Sequence, residues 1–72
     1  MLPLSFAEPL VPQSIAKITG RDEVRRHLSD LGLVVGEEVT VVSSLAGNLI
    51  VQVKDSRIAL DRELANRIMV RG

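Results

Sequence analysis

A chain of 72 residues has room for one domain, and with no cysteine and a single histidine it lacks both a disulfide and a structural metal cluster to staple it. Nine basic residues balance nine acidic ones, so no net field draws nucleic acid or acidic lipid toward it. Phe6 is the only aromatic residue, which removes both base-stacking platforms and the aromatic grooves that hold proline-rich peptides. Yet 46% of the residues are hydrophobic and the mean hydropathy is +0.24, while a domain this small hides only about 60% of the surface its unfolded chain exposes. Either an efficient aliphatic core absorbs that excess, or apolar surface is left for a partner.

The first residues are apolar from Met1 to Val11 but are broken by Pro3, Glu8 and Pro9, with Pro12 just beyond and no basic segment in front, unlike a secretory signal. No run approaches the ~18 apolar residues of a membrane span. The expectation is a soluble cytoplasmic protein. Ser5-Phe6-Ala7-Glu8 fits a capping box with Ser5 as N-cap, and Pro9 and Pro12 limit the helix it starts to one turn. Phe6 and Leu10 are then expected to cover one end of the core. Ser14 to Thr19 alternates as a short strand with Ala16 and Ile18 inward, and Gly20 ends it.

Asp22 to Leu31 is the clearest helix, because Val24, Leu28 and Leu31 form one apolar stripe at i, i+4 and i+7. Asp22 and Glu23 in its first turn favour the helix dipole. Gly32 is placed as the left-handed residue after its end, with Leu33 folding back onto Leu28. Val34-Val35-Gly36-Glu37 reads as a type II turn with Gly36 at the positive-φ position.

From Glu38 the period becomes two. Val39 and Val41 share one face; Ala46-Gly47-Asn48 turns the chain; Leu49, Val51 and Val53 form the next inward set; Asp55-Ser56 turns into Arg57 to Leu60. Asp61 caps a short helical turn through Asn66. Ile68 to Val70 is a last strand, and laying it against Ala16 to Ile18 would remove both sheet edges. The chain therefore predicts a mostly β fold: a small SH3-like barrel of about five strands, with a helical insertion and a short C-terminal helical turn. No repeat or linker interrupts it, and a single domain is expected over 1–72.

Chemistry is sparse. His27 has Glu23 four residues before it and Asp30 three after, so the three share one helical face and form a candidate set for Fe(II), Zn(II) or Mn(II). An ordinary solvated helix face has the same composition. Ser43-Ser44 has no second histidine or suitably placed lysine to act as its base. Arg57, Arg62, Arg67 and Arg71 tilt the last third toward basic, but Asp55, Asp61 and Glu63 are interleaved with them. No phosphate-binding glycine loop occurs. The expectation is a binding protein with no catalytic activity and no required cofactor, with weak transition-metal binding the alternative.

The ordered series Leu31-Gly32-Leu33-Val34-Val35-Gly36, the Val39 strand, Leu49-Ile50-Val51-Gln52-Val53, Ile58-Ala59-Leu60, and Ala65 with Ile68-Met69-Val70 resembles the FeoA family. The resemblance runs from about Pro3 to Val70. Gly32 and Gly36 match the family's LGL-x-x-G turn, and Ala59-Leu60 with Ala65 and Ile68 match its close. Val35 departs from it, standing where the family usually has proline. The resemblance implies an SH3-like barrel and a role in bacterial ferrous iron uptake beside FeoB, a membrane transporter with a cytoplasmic GTPase domain. It extends to the SH3-like domain of DtxR-type repressors, which makes a metal-binding regulator the second reading. A docking module of this size needs a few apolar anchors outside the core. Leu45 beside the Gly47 turn, Val34 and Val35 before Gly36, and Leu2 are the candidates, for a FeoB-like partner or for a homodimer.

Overall fold

The computed structural model describes residues Met1 to Arg71. In chain order it holds β1 (Leu2–Pro3), a 3-10 turn (Leu4–Phe6), β2 (Gln13–Ile18), α1 (Asp22–Asp30), β3 (Glu38–Leu45), β4 (Asn48–Val53), β5 (Ser56–Leu60), α2 (Arg62–Asn66) and β6 (Ile68–Arg71). All strand pairs are antiparallel, in the order β1-β6-β2-β3-β4-β5.

The connection from α1 to β3 follows from two glycines. Leu31 ends the helix, Gly32 takes φ 93°, the Leu33 N–H donates to the Leu28 carbonyl at 2.9 Å, and the Gly32 N–H donates to Ser29 at 2.9 Å. This pair of bonds is the Schellman arrangement, and its apolar partners Leu33 and Leu28 are both fully buried. Four residues on, the Glu37 N–H donates to the Val34 carbonyl at 3.1 Å with Gly36 at φ 93°, the expected type II turn. Gly36 and Glu37 also bond the backbone of Ile15, at 2.8 and 2.9 Å, so the turn is stitched to β2.

The core is wholly aliphatic: Leu4, Ile15, Leu28, Leu33, Val39, Val41, Leu49, Val51, Val53, Leu60, Ala65, Ile68 and Val70. Among the described residues no polar or charged side chain is buried. Two bulges bend the sheet around this core. In β3, Val41 pairs with Val51 but Ser43 pairs with Ile50, so Val42 is an extra residue. In β2, Ile15 pairs with Val70 and Lys17 with Met69, so Ala16 is extra. Each extra residue inverts the alternation beyond it and increases the local twist.

Several expectations are corrected here. Ala16 is the bulge residue, and Ile15 takes the fully buried inward place. Ser5 caps nothing: it lies inside the 3-10 turn, which Pro3 precedes, and its Oγ donates to Asn66 Oδ1 at 2.6 Å. Phe6 is 75% exposed and Leu10 70%, and the lead-in inserts Leu4 into the core instead, while Pro9 and Leu10 turn the chain at the surface with Leu10 at φ 69°. The hairpin after Val53 turns on Lys54–Asp55, one residue earlier than expected, with Lys54 at φ 53°. There are six strands, since Leu2 and Pro3 add an edge beyond β6. β6 does pair with β2, but that pairing does not remove the edges: β1 and β5 each keep one side unpaired.

Gly32→Val forces a β-branched side chain into the left-handed region, where a non-glycine residue costs on the order of 1–3 kcal/mol. Urea denaturation should show a loss of that size, with an unchanged m-value.

Candidate functional site

The inverted phase of β3 beyond Val42 decides where apolar surface appears. Val39 and Val41 point inward, whereas Ser43, paired with Ile50, and Leu45, paired with Asn48, point outward. Ile50 in turn pairs with Ala59 on β5. Leu45, Ile50 and Ala59 therefore line an open groove of about 560 Å³ on the outer face, completed by Ser43, Asn48 and Asp61 at its margins. Leu45 is 79% exposed and Ile50 36%.

One end of the groove is held rigid by α2. Ala46 and Gly47 both take positive φ, 54° and 85°, as a two-residue type I′ hairpin requires. The Arg62 guanidinium lies across this turn and donates to the Ala46 carbonyl at 2.9 Å, and the Arg62 N–H donates to Asn48 Oδ1 at 3.0 Å. A Cβ on Gly47 would sit 2.6 Å from Arg62 Nε and displace that flexible side chain, while the positive φ itself is what calls for glycine. Asp61 caps α2 as the sequence suggests, accepting from the Leu64 N–H at 2.8 Å. The Leu45 side chain is thereby presented from a hairpin pinned at its tip.

Of the four expected anchors, Leu45 alone lines this groove. Val34 (38% exposed) and Val35 (62%) occupy the turn before Gly36, and Leu2 (37%) lies on the β1 edge. Ile50 and Ala59 belong to the groove and were not among the expected anchors. The available signal was Ile50 itself, an aliphatic residue at an outward position between inward Leu49 and Val51. His27, Glu23 and Asp30 are all exposed on α1, and among the described residues no three His, Asp or Glu side chains come together as a metal-holding group. Ser43 and Ser44 line the groove without a histidine or lysine beside them.

A curved antiparallel sheet on an aliphatic core, with a concave apolar surface on β3–β5, defines a small SH3-like binding module. The FeoA domain model matches residues 2–72, and the chain belongs to the FeoA family. It is 33% identical over 70 residues to Fe(2+) transport protein A of Methanocaldococcus jannaschii, covering 97% of this chain and 85% of that protein. The crystal structure of an iron uptake regulatory protein, FeoA, superposes with a TM-score of 0.87 at 34% identity, covering 97% of this chain and 93% of that one. FeoA of Stenotrophomonas maltophilia, an SH3 domain protein crystallised with zinc, matches at 30% identity and a TM-score of 0.83, covering 99% of this chain and 91% of that one. Membership makes this chain a ferrous iron transport accessory protein rather than an enzyme. Among its described residues no helix is long and apolar enough to cross a membrane.

With no group of three ligands converging among the described residues, His27→Ala should leave Fe(II) or Zn(II) affinity in a calorimetric titration unchanged within about twofold. Stoichiometric binding that disappears in the variant would make α1 a metal site.

Proposed function

We propose that this protein acts by docking, through the Leu45–Ile50–Ala59 groove, onto a FeoB-like membrane iron transporter and altering its GTPase or transport cycle. The observation that supports the reading is the groove itself. Three aliphatic side chains stand on an outer sheet face, where a free-standing domain places polar residues, and the hairpin that carries Leu45 is fixed by Arg62. An aliphatic anchor held on a pinned turn loses little conformational freedom on binding, which suits a small hot spot. Val34 and Val35, exposed in the turn before Gly36, offer a second contact. Family membership supplies the iron-uptake setting.

Leu45 is exposed, so Leu45→Asp removes an anchor without opening the core. The thermal midpoint should stay within about 2 °C of the parent. Capture of the FeoB transporter from bacterial membranes should fall by roughly tenfold or more, the loss of an anchor of about 1.4 kcal/mol. Val35→Asp should give a smaller loss. Full capture by folded Leu45→Asp protein would move the docking surface elsewhere.

A further inference from the structure

The two free edges of the sheet are not alike. β1 is two residues long and one of them is Pro3, which has no N–H to offer a neighbouring strand. β5 is five residues long with no proline, lysine or bulge, and only β4 pairs with it. Across the Lys54–Asp55 turn Val53 faces Ser56, followed by Gln52–Arg57, Val51–Ile58, Ile50–Ala59 and Leu49–Leu60. The pair that closes a two-residue hairpin exchanges both backbone hydrogen bonds, and every second pair after it does the same. Ser56, Ile58 and Leu60 therefore spend their backbone groups on β4. Arg57 and Ala59 turn theirs outward, along the unpaired edge. Asp61 continues the edge in an extended conformation (φ −74°, ψ 170°), with its carbonyl engaged by the Ala65 N–H at 2.9 Å and its N–H directed outward.

This edge is complementary to itself. An antiparallel second copy centred on Ala59 sets Ala59 against Ala59 on the two-fold axis and Arg57 against Asp61 on either side. The Ala59 residues exchange two backbone hydrogen bonds, and each Asp61 N–H donates to the Arg57 carbonyl of the other copy. The charges favour this register: moving the two-fold axis by two residues one way would place Arg57 on Arg57, and the other way Asp61 on Asp61. Both side chains have capacity left for the contact. Arg57 uses only Nε within the chain, donating to Gln52 Oε1 at 3.1 Å, and Asp61 uses only Oδ1, for the α2 cap. The outer-face row Ser43–Ile50–Ala59 would then run on into Ala59–Ile50–Ser43 of the second copy, an unbroken strip with four aliphatic side chains at its centre. Alanine at the axis is small enough for two strands to meet without a clash.

We infer that the chain forms a two-fold symmetric dimer by antiparallel pairing of β5 with β5 of a second copy, in register at Ala59. The pairing does not depend on the transporter. Sedimentation equilibrium of the full chain should show a concentration-dependent mass rising from 7.9 kDa to twice that value. Amide hydrogen exchange should slow at Ala59 and Asp61 as concentration rises, since neither N–H has a partner within the chain. Arg57→Glu sets like charges opposite each other twice and should weaken the dimer by roughly tenfold, with an unchanged fold. Ala59→Pro deletes the outward N–H at the axis, a position where an edge strand tolerates proline, and should leave only monomer at micromolar concentration. A chain that stays monomeric into the millimolar range overturns the proposal. So does a dimer that both variants preserve, or one in which the Ala59 and Asp61 amides exchange as fast as in dilute solution.

Discussion

One extra residue, Val42, sets the shape and the surface of this protein together. Before it, Val39 and Val41 point into the core; after it, Leu45 points out. Strict alternation through β3 would have carried Leu45 inward with the valines. The bulge instead bends the strand, so that β3 pairs with β2 at one end and with β4 along the rest of its length. The second bulge, at Ala16, lets Ile15 reach the centre of the core and Ile18 pack against its margin from one short strand. Without these two irregularities a flat sheet of six short strands would leave one face bare, and a chain this small has no second layer to cover it.

The core that results holds carbon side chains alone; among the described residues the one side-chain polar atom enclosed without a hydrogen-bond partner, Gln13 Oε1, lies outside it on β2. What the chain can offer is surface: an apolar groove, two valines on a turn and a strand edge. The groove is stiffened where stiffness is useful. Arg62 spans the β3–β4 turn, and Ser5 ties the lead-in to Asn66 at the end of α2, so α2 holds the hairpin and the N-terminal segment against one framework.

The surface elements differ in character, although the groove and the β5 edge meet at Ala59 and Asp61. The groove suits an aliphatic side chain from another protein, and the β5 edge suits another extended backbone. The Lys54–Glu37 ion pair, 3.6 Å long with Lys54 largely exposed, lies outside both and adds little to either, as exposed pairs generally do. Zinc in the Stenotrophomonas relative belongs to that protein. Here Glu23, His27 and Asp30 share a helix and remain in solvent.

The parts of this fold that were legible in the sequence are those fixed within a few residues. Helix α1 with its Gly32 and Leu33 ending, the Gly36 turn, the Gly47 hairpin and the Asp61 cap each depend on φ preferences and hydrogen bonds that close over three to six positions, so local residue types suffice to specify them. The inward set of β4 was equally plain, because no bulge disturbs its alternation. The rest was decided by contacts between distant segments. Ala16 and Val42 became bulges because of the registers imposed by β6 and β4. Leu4 rather than Phe6 entered the core because the space left by β6 and α2 admits it. Leu2 and Pro3 became a strand only because β6 offered a partner. Ile50 and Ala59 became groove residues because two hairpins set them side by side, and β5 was left open because no segment reached its outer edge. Sequence period specifies the face of an element; only packing specifies what lies opposite it.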